Sequence, residues 1–259
     1  LNSINYKNIK VQAKLASEGS GFSLSNKMDD TIIVVMAQSG TTIDTNIFAQ
    51  MARKRGAYTI AIVNKKQGDI TYIVNKNIYL GGGRDIEISV PSTKTYTCHL
   101  IAGYIVSEKI ISFLNNSINK NFLATCNKLV STNYINNLLN NFDSNFKNFK
   151  IDLFNYKDWV VVYDDSENGF NAQELRIKLC ECCYTSILCT HIKYFNKLNL
   201  KNTLVFYLTS KFSKILKIDK KNFYITINQY NSKKSSNLIN LKLNSNNFIN
   251  LIVETCLAL

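Results

Sequence analysis

One proline and ten glycines are all the chain-breaking residues that 259 positions contain. In their place the second half is saturated with Asn, Lys, Ile, Tyr and Phe, the skew that an AT-rich coding sequence produces at tolerant positions. Charge is scarce too: 19% of residues are charged against 46% hydrophobic, which excludes global disorder and permits a proper core. No consecutive apolar run approaches the roughly 18 residues that a bilayer span requires, and no signal-peptide pattern opens the chain. A cytoplasmic protein with no membrane partner is therefore expected. The first residue is Leu rather than Met, which suggests a fragment or a processed piece. The length suits one large domain or two of ordinary size.

Lys and Arg outnumber Asp and Glu by 31 to 18, a formal charge of +13. The lysines are scattered among asparagines, as in "NSINKNF" and "IDKKNFYITINQYNSKK", without a basic face or a nucleic-acid motif. Such an excess bears on solubility and non-specific binding, so no specific nucleic-acid partner is expected. Seven cysteines, an odd number, argue for free thiols in a reducing compartment. "CECC" (Cys180, Cys182, Cys183), with Cys189 and His191 nearby, invites a zinc reading. No second ligand pair follows at a suitable spacing, so these thiols are expected to pack as small apolar residues, with no metal.

The first hundred residues alternate strand and helix signals. "IKVQAKLAS" reads as a strand with polar alternation, and "TIIVVMA" and "YTIAIVN" as buried β-branched strands. A helix follows from about Asp44 and stops at Lys54-Arg55-Gly56; "IYLGGG" is a further short strand. "PSTKTYTCHLIAGYIVSEKII" predicts a long helix with Pro91 in its first turn. The Asn-rich stretch 113–150 keeps apolar residues every three or four positions, so it reads as amphipathic helices. Alternation resumes with a strand at 159–163, a helix from 172 to about 186, strands "NTLVFYL" and "NFYITIN", an edge strand "NLINLKL" and a final helix "NNFINLIVETCLAL". The expected fold is α/β: two three-layer αβα units with parallel, flavodoxin-like sheets. The expected domains are 1–112 and 151–259, joined by a helical connector at 113–150.

In open parallel sheets ligands sit beyond the carboxyl ends of strands, where helix N-termini favour anions. Gln38-Ser39-Gly40-Thr41-Thr42 lies at such a place, with a glycine for close approach and three hydroxyls for phosphate oxygens. Ser92-Thr93-Lys94, after the Gly-rich "GGGRD", is a second such place. Each alone is also explained as an N-cap with a turn glycine. The Walker pattern G-x-x-x-x-G-K-[ST] is absent. On the second half, Glu174, Lys178 and Glu181 stand at i, i+4 and i+7, one face of a helix. That face is either a solvated ion pair or a positioned base beside a cation.

"QSGTTIDT", "AIVN" and "GRDIEISVPSTKTYTCHL", in this order, resemble the first sugar-isomerase (SIS) domain of glutamine–fructose-6-phosphate aminotransferases and their relatives. "NAQELRIKLCECCYTSI" is similar to a helix of the second SIS domain of that family. The resemblance covers about residues 10 to 190. It implies that Gln38, Ser39, Gly40 and Thr42 hold a substrate phosphate together with Ser92, while Val90 and Thr93 contact the sugar. Glu181 matches the carboxylate that moves a proton between sugar carbons during ketose–aldose isomerisation, and Glu174 and Lys178 match charged neighbours of that site. The implied ligands are hexose 6-phosphates (fructose 6-phosphate and glucosamine 6-phosphate), with no cofactor, in amino-sugar biosynthesis by a homo-oligomer.

Departures from the family pattern are equally specific. The family's early Gly-Thr-Ser loop and its glutaminase domain have no counterpart, Ala37 replaces a serine and Pro91 an alanine. "YDDSENGFN" puts acids where the family has a Gly-rich phosphosugar loop, and the alignment places Lys197, with His191 nearby, where a ring-opening histidine is expected. The chain ends at "ETCLAL", before the family's lysine-bearing tail. The alternative expectation is therefore a catalytically impaired SIS protein that binds phosphosugar or acts as a scaffold. A basic structural subunit that has lost the ligand is a third reading.

Overall fold

The computed structural model describes residues 9–22, 24–83, 87, 92–115, 120–130, 136–137, 140, 155–164, 166–209, 219–227 and 237–241. Two compact units result, Leu1–Asn119 and Lys120–Leu259, each described by itself.

In the first unit, helix α1 (Ala16–Phe22) precedes β1 (Ile32–Ala37), α2 (Ile43–Lys54), β2 (Tyr58–Val63), α3 (Ile70–Ile73) and β3 (Lys76–Tyr79). A 3-10 turn (Leu80–Gly83) and the 23-residue α4 (Thr93–Asn115) follow. The three strands form a parallel sheet in the order β1-β2-β3. Their register pairs Ala37 with Val63 and Val63 with Tyr79, so all three end level. Ile33, Val35 and Ala37 on β1 and Ala61 and Val63 on β2 pack under Ala49 of α2 and Ile70 of α3.

Two expectations are corrected here. Residues 9–15, "IKVQAKL", form no strand; with no ladder neighbour among the described residues, their backbone groups gain nothing from extension, and helix begins at Ala16. Strand β1 is not fully buried either. It is the sheet edge, and the Ile32, Val34 and Met36 side chains are exposed while the alternate positions face the core. A continuous apolar run conceals this because the period of two is invisible when both faces are apolar.

Helix α4 is docked on the same sheet. His99 brings Nδ1 to 2.9 Å from the Thr95 carbonyl oxygen and Nε2 to 3.2 Å from that of Ile62. Asn64 Nδ2 donates to Thr95 Oγ1 at 3.2 Å, and Gly103 lies against the Met36 methyl. By length and composition its segment Lys94–Asn115 (mean hydropathy 1.2) is long and apolar enough to cross a membrane. No consecutive apolar run of that length lies in it, since Ser107, Glu108 and Lys109 interrupt the segment.

The second unit contributes α5 (Lys120–Val130), β4 (Asp158–Tyr163), α6 (Ser166–Cys183), β5 (Ile187–His191), α7 (Ile192–Phe195), β6 (Thr203–Leu208), β7 (Phe223–Ile227) and β8 (Leu238–Leu241). All strand pairs are parallel, in the order β5-β4-β6-β7-β8, the flavodoxin-like arrangement. One face packs Trp159, Val161, Leu204 and Phe206 against Ala172 and Leu175 of α6. The other packs Val160, Val162, Val205 and Tyr207 against Phe195 of α7. Every residue of β6 and β7 is buried, as two covered faces demand.

Strand β5 had no reading in the sequence; "ILCTH" is short, mixes Cys, Thr and His, and owes its extension to pairing with β4. Helix α6 starts at Ser166 rather than 172. Asp164 fixes the start: it accepts from Asn168 Nδ2 at 3.0 Å one turn on and is itself held by Thr209 Oγ1 at 2.6 Å, which outweighs the poor helix propensity of Asn and Gly in the segment. Most of the connector, the final helix, Val90 and Pro91 lie outside the described residues.

Leu204 is wholly buried on the central strand β6. Leu204→Ala should destabilise the second unit by about 2–5 kcal/mol, read as a lower urea midpoint at unchanged slope.

Candidate functional site

The level carboxyl edge of the first sheet carries the β1–α2 loop. Its seat is made by a second loop, 64–69, pressed against it. Asn64 N–H donates to the Ala37 carbonyl (3.4 Å), Lys65 N–H to that of Gln38 (3.3 Å) and Ile70 N–H to that of Gly40 (2.9 Å). Asn46 Nδ2, one turn into α2, also donates to the Gly40 carbonyl at 3.2 Å. The two loops touch through glycine on both sides. Gly40 has φ +70, and a Cβ on Gly68 would collide with the Ser39 carbonyl and come to 2.7 Å of Gly40 Cα.

This clamp fixes the polar groups. Ser39 Oγ and Thr41 Oγ1 are 2.8 Å apart, and Thr41 N–H donates to Ser39 Oγ at 3.2 Å. Thr42 is the N-cap residue of α2, yet its side chain makes no capping hydrogen bond. The structure brings Ser92 to the same place: its hydroxyl donates to Gln38 Oε1 across 54 positions of sequence. Thr93 opens α4 with its backbone; its side chain, like Val90, lies outside what is described.

The two helix N-termini differ sharply. Lys94 N–H and Thr95 N–H of α4 donate to Oε1 and Oε2 of Glu87, each at 3.0 Å. The amides of Lys94 and Thr95 are therefore already occupied by a carboxylate of the chain itself. Helix α2 has no such side-chain cap among the described residues, only Asp44 within its first turn. Its leading amides and dipole face the loop that carries Ser39, Thr41 and Thr42, the arrangement that favours an incoming anion.

On α6 the predicted trio assembles. Lys178 Nζ lies 2.9 Å from Glu174 Oε1 and 3.9 Å from Glu181 Oε2, with the lysine side chain only 6% exposed. A buried ammonium is tolerable because it is paired. Two carboxylates share this one cation, and Glu181 Oε2 is buried and accepts no hydrogen bond among the described residues. An oxygen so placed has a lone pair free for a proton.

Other sequence candidates have structural employment. His191 Nδ1 accepts from Lys193 N–H at 3.1 Å and caps α7, which leaves Nε2 as the donor to the Asp164 carbonyl at 3.1 Å. Its ring stands edge-on to Tyr163 and Tyr194. Asp164 is likewise engaged: Thr209 Oγ1 donates to Oδ2 at 2.6 Å, and Asn168 holds Oδ1. Cys180, Cys183 and Cys189 pack against the Trp159 cluster, as the packing reading expects, while Cys182 is exposed. Burial pushes the Cys189 thiol up to about 11, and burial with neighbouring Cys182 and Cys180 raises Cys183.

Glu87, Asn46 and Gly68 were not singled out in the sequence. Glu87 had a signal, an acid a few residues before a helix whose first turn has none. Asn46 and Gly68 had none, because their roles depend on a contact between loops.

No family model matches the chain. A stretch of 101 residues, 38% of the chain, is 37% identical to the isomerising glutamine–fructose-6-phosphate aminotransferase of Clostridium tetani and spans 16% of that protein. A stretch of 72 residues, 28% of the chain, is 39% identical to the same enzyme of Thermococcus kodakarensis and spans 12% of it. Among solved structures, the C-terminal domain of glucosamine-fructose-6-phosphate aminotransferase from Francisella tularensis superposes with a TM-score of 0.74 at 19% identity. That match covers 98% of this chain and 76% of that one. Glucosamine-6-phosphate deaminase from Thermotoga maritima gives 0.61 at 17% identity, covering 94% of this chain and 73% of that one. The chain is thus an α/β protein of the sugar-isomerase (SIS) fold. Within that fold, its sequence is related to the isomerising glutamine–fructose-6-phosphate aminotransferases, of which it matches only a small part.

Gly68→Ala should force the two loops apart and cost about 1–3 kcal/mol, measured as a lower midpoint of thermal unfolding. Alkylation of Cys189 should be negligible at pH 8 and rise only as pH approaches 11. Because the folded pKa lies above the ordinary 9.0, the stability Cys189 contributes is fully present below pH 9 and is lost as pH rises through about 11. Rapid labelling of Cys189 itself at pH 8 in native protein, located by peptide mapping, would contradict this.

Proposed function

We propose that the first unit binds the phosphate group of a hexose 6-phosphate in the β1–α2 loop. The observation that carries this reading is the contrast between the two helix N-termini: α4 is closed by Glu87, while α2 opens without a side-chain cap onto Ser39, Thr41 and Thr42. A phosphate there receives backbone N–H groups, hydroxyls and the positive end of the helix dipole. Gln38 and Ser92 brace one side of the loop through their hydrogen bond. The related aminotransferases support the ligand class.

For the second unit we assign Glu181 as general base, with Lys178 and Glu174 setting its charge and orientation. In ketose–aldose isomerisation one carboxylate takes a proton from one sugar carbon and returns it to the neighbouring carbon. The finer reading is interconversion of fructose 6-phosphate plus ammonia with glucosamine 6-phosphate plus water, in the cytoplasm by a homo-oligomer, without a cofactor. A second reading, binding without turnover, is favoured by one observation. Asp164, where the family's second phosphosugar loop is expected, is committed to Asn168, Thr209 and His191.

Calorimetry with glucosamine 6-phosphate tests the first assignment. Ser39→Ala and Thr42→Ala should each weaken binding by about 1.5–3 kcal/mol; a native chain that ignores every hexose 6-phosphate at millimolar concentration overturns it. Glu181→Gln should retain binding and lose isomerisation by at least about 100-fold. Equal loss of both would make Glu181 structural, and a native chain that binds without turnover would establish the second reading.

A further inference from the structure

Helix α4 meets the candidate site through its first turn, and one carboxylate sets where that turn lies. No acidic residue stands within the turn itself, so its leading amides need an acceptor from elsewhere. Glu87 supplies it from the segment before the helix: Oε1 accepts from Lys94 N–H and Oε2 from Thr95 N–H, each at 3.0 Å. Two oxygens of one planar carboxylate on two consecutive amides fix both the height and the rotation of the helix start. Both bonds are charge-assisted and lie at the positive end of the helix dipole.

Two contacts join that turn to the β1–α2 loop. Thr95, only 3% exposed, accepts at Oγ1 from Asn64 Nδ2 at 3.2 Å, and Asn64 N–H donates to the carbonyl of Ala37, the residue before Gln38. Asn64 directly follows β2, whose pairing with β1 fixes it independently of α4. The other contact is Ser92, which directly precedes α4 and donates its hydroxyl to Gln38 Oε1. This one decides the chemistry of Gln38. A primary amide has an acceptor end and a donor end. With Oε1 turned to Ser92, the two Nε2 protons are turned away from it, and Nε2 makes no hydrogen bond among the described residues.

We propose that Glu87 is a positioning residue of the phosphate site: it holds the first turn of α4 so that Ser92 locks the Gln38 amide with Nε2 presented to the phosphate. The inference rests on the phosphate reading of the β1–α2 loop and deepens it by naming what orients one of its donors. Glu87 itself touches no ligand and acts through Ser92.

A double-mutant cycle read by calorimetry with glucosamine 6-phosphate tests the assignment. Glu87→Gln sets an amide NH2 against a backbone N–H of α4, and Ser92→Ala removes the hydroxyl. Each should weaken binding about fivefold, and the double variant should be no weaker than either single one, because one path is broken twice. In the unliganded protein the NMR signals of the Gln38 side-chain amide should shift in both single variants, a readout that a cap serving stability alone leaves in place. Circular dichroism checks the fold, and Glu87→Asp, too short to reach both amides, replaces Glu87→Gln if that variant does not fold. Unchanged binding in the Glu87 variant, or Gln38 amide signals that stay in place, overturns the positioning role and leaves the phosphate reading standing. So does a double variant weakened about 25-fold, the product of two independent losses. A native chain that binds no hexose 6-phosphate overturns both.

Discussion

The carbonyl of Gly40 is the constraint on which the candidate site depends. It accepts from Ile70 N–H and from Asn46 Nδ2, and so joins the β1–α2 loop to the loop after β2 and to the body of α2. Glycine is required on both sides of that junction, since a side chain at Gly68 has no room and Gly40 is left-handed. With the junction made, the Thr42 hydroxyl and the leading amides of α2 are held in place without being consumed. A site for an anion needs donors that are both ordered and free, and this junction provides order at no cost in donors.

The same logic separates the parts of the molecule that look alike in one dimension. Two stretches of Ser, Thr and Gly precede helices, yet Glu87 caps one helix start and, among the described residues, no side chain caps the other. Two carboxylate groups stand out in the second unit, yet Asp164 spends its oxygens on Asn168 and Thr209 while Glu181 Oε2 accepts no hydrogen bond among the described residues. Residue type suggests the chemistry; the state of the hydrogen bonds decides which copy retains it.

Much of the architecture was legible in the sequence. The β-branched runs at β2, β4, β6 and β7 are buried on both faces, so composition alone identifies them, and the pairing is parallel throughout as alternation with helices implies. The elements that escaped are those whose conformation comes from a neighbour. Strand β5 is extended because β4 pairs with it, helix α6 begins early because Asp164 holds Asn168, and "IKVQAKL" stays irregular for want of a partner. In the site, Gln38, Ser39 and Ser92 could be found as motif residues, and the face of Glu174, Lys178 and Glu181 follows from helical spacing. Asn46 and Gly68 could not, because each acts across a loop contact that no local pattern encodes.

The central claim is that α2, rather than α4, is the helix whose N-terminus receives the ligand's phosphate. Backbone-amide NMR during titration with glucosamine 6-phosphate tests it most directly. The account predicts large shifts at the amides of Thr41 to Thr45, with those of Lys94 and Thr95 left in place on Glu87. Shifts centred on Lys94 and Thr95, with the start of α2 unmoved, would contradict it.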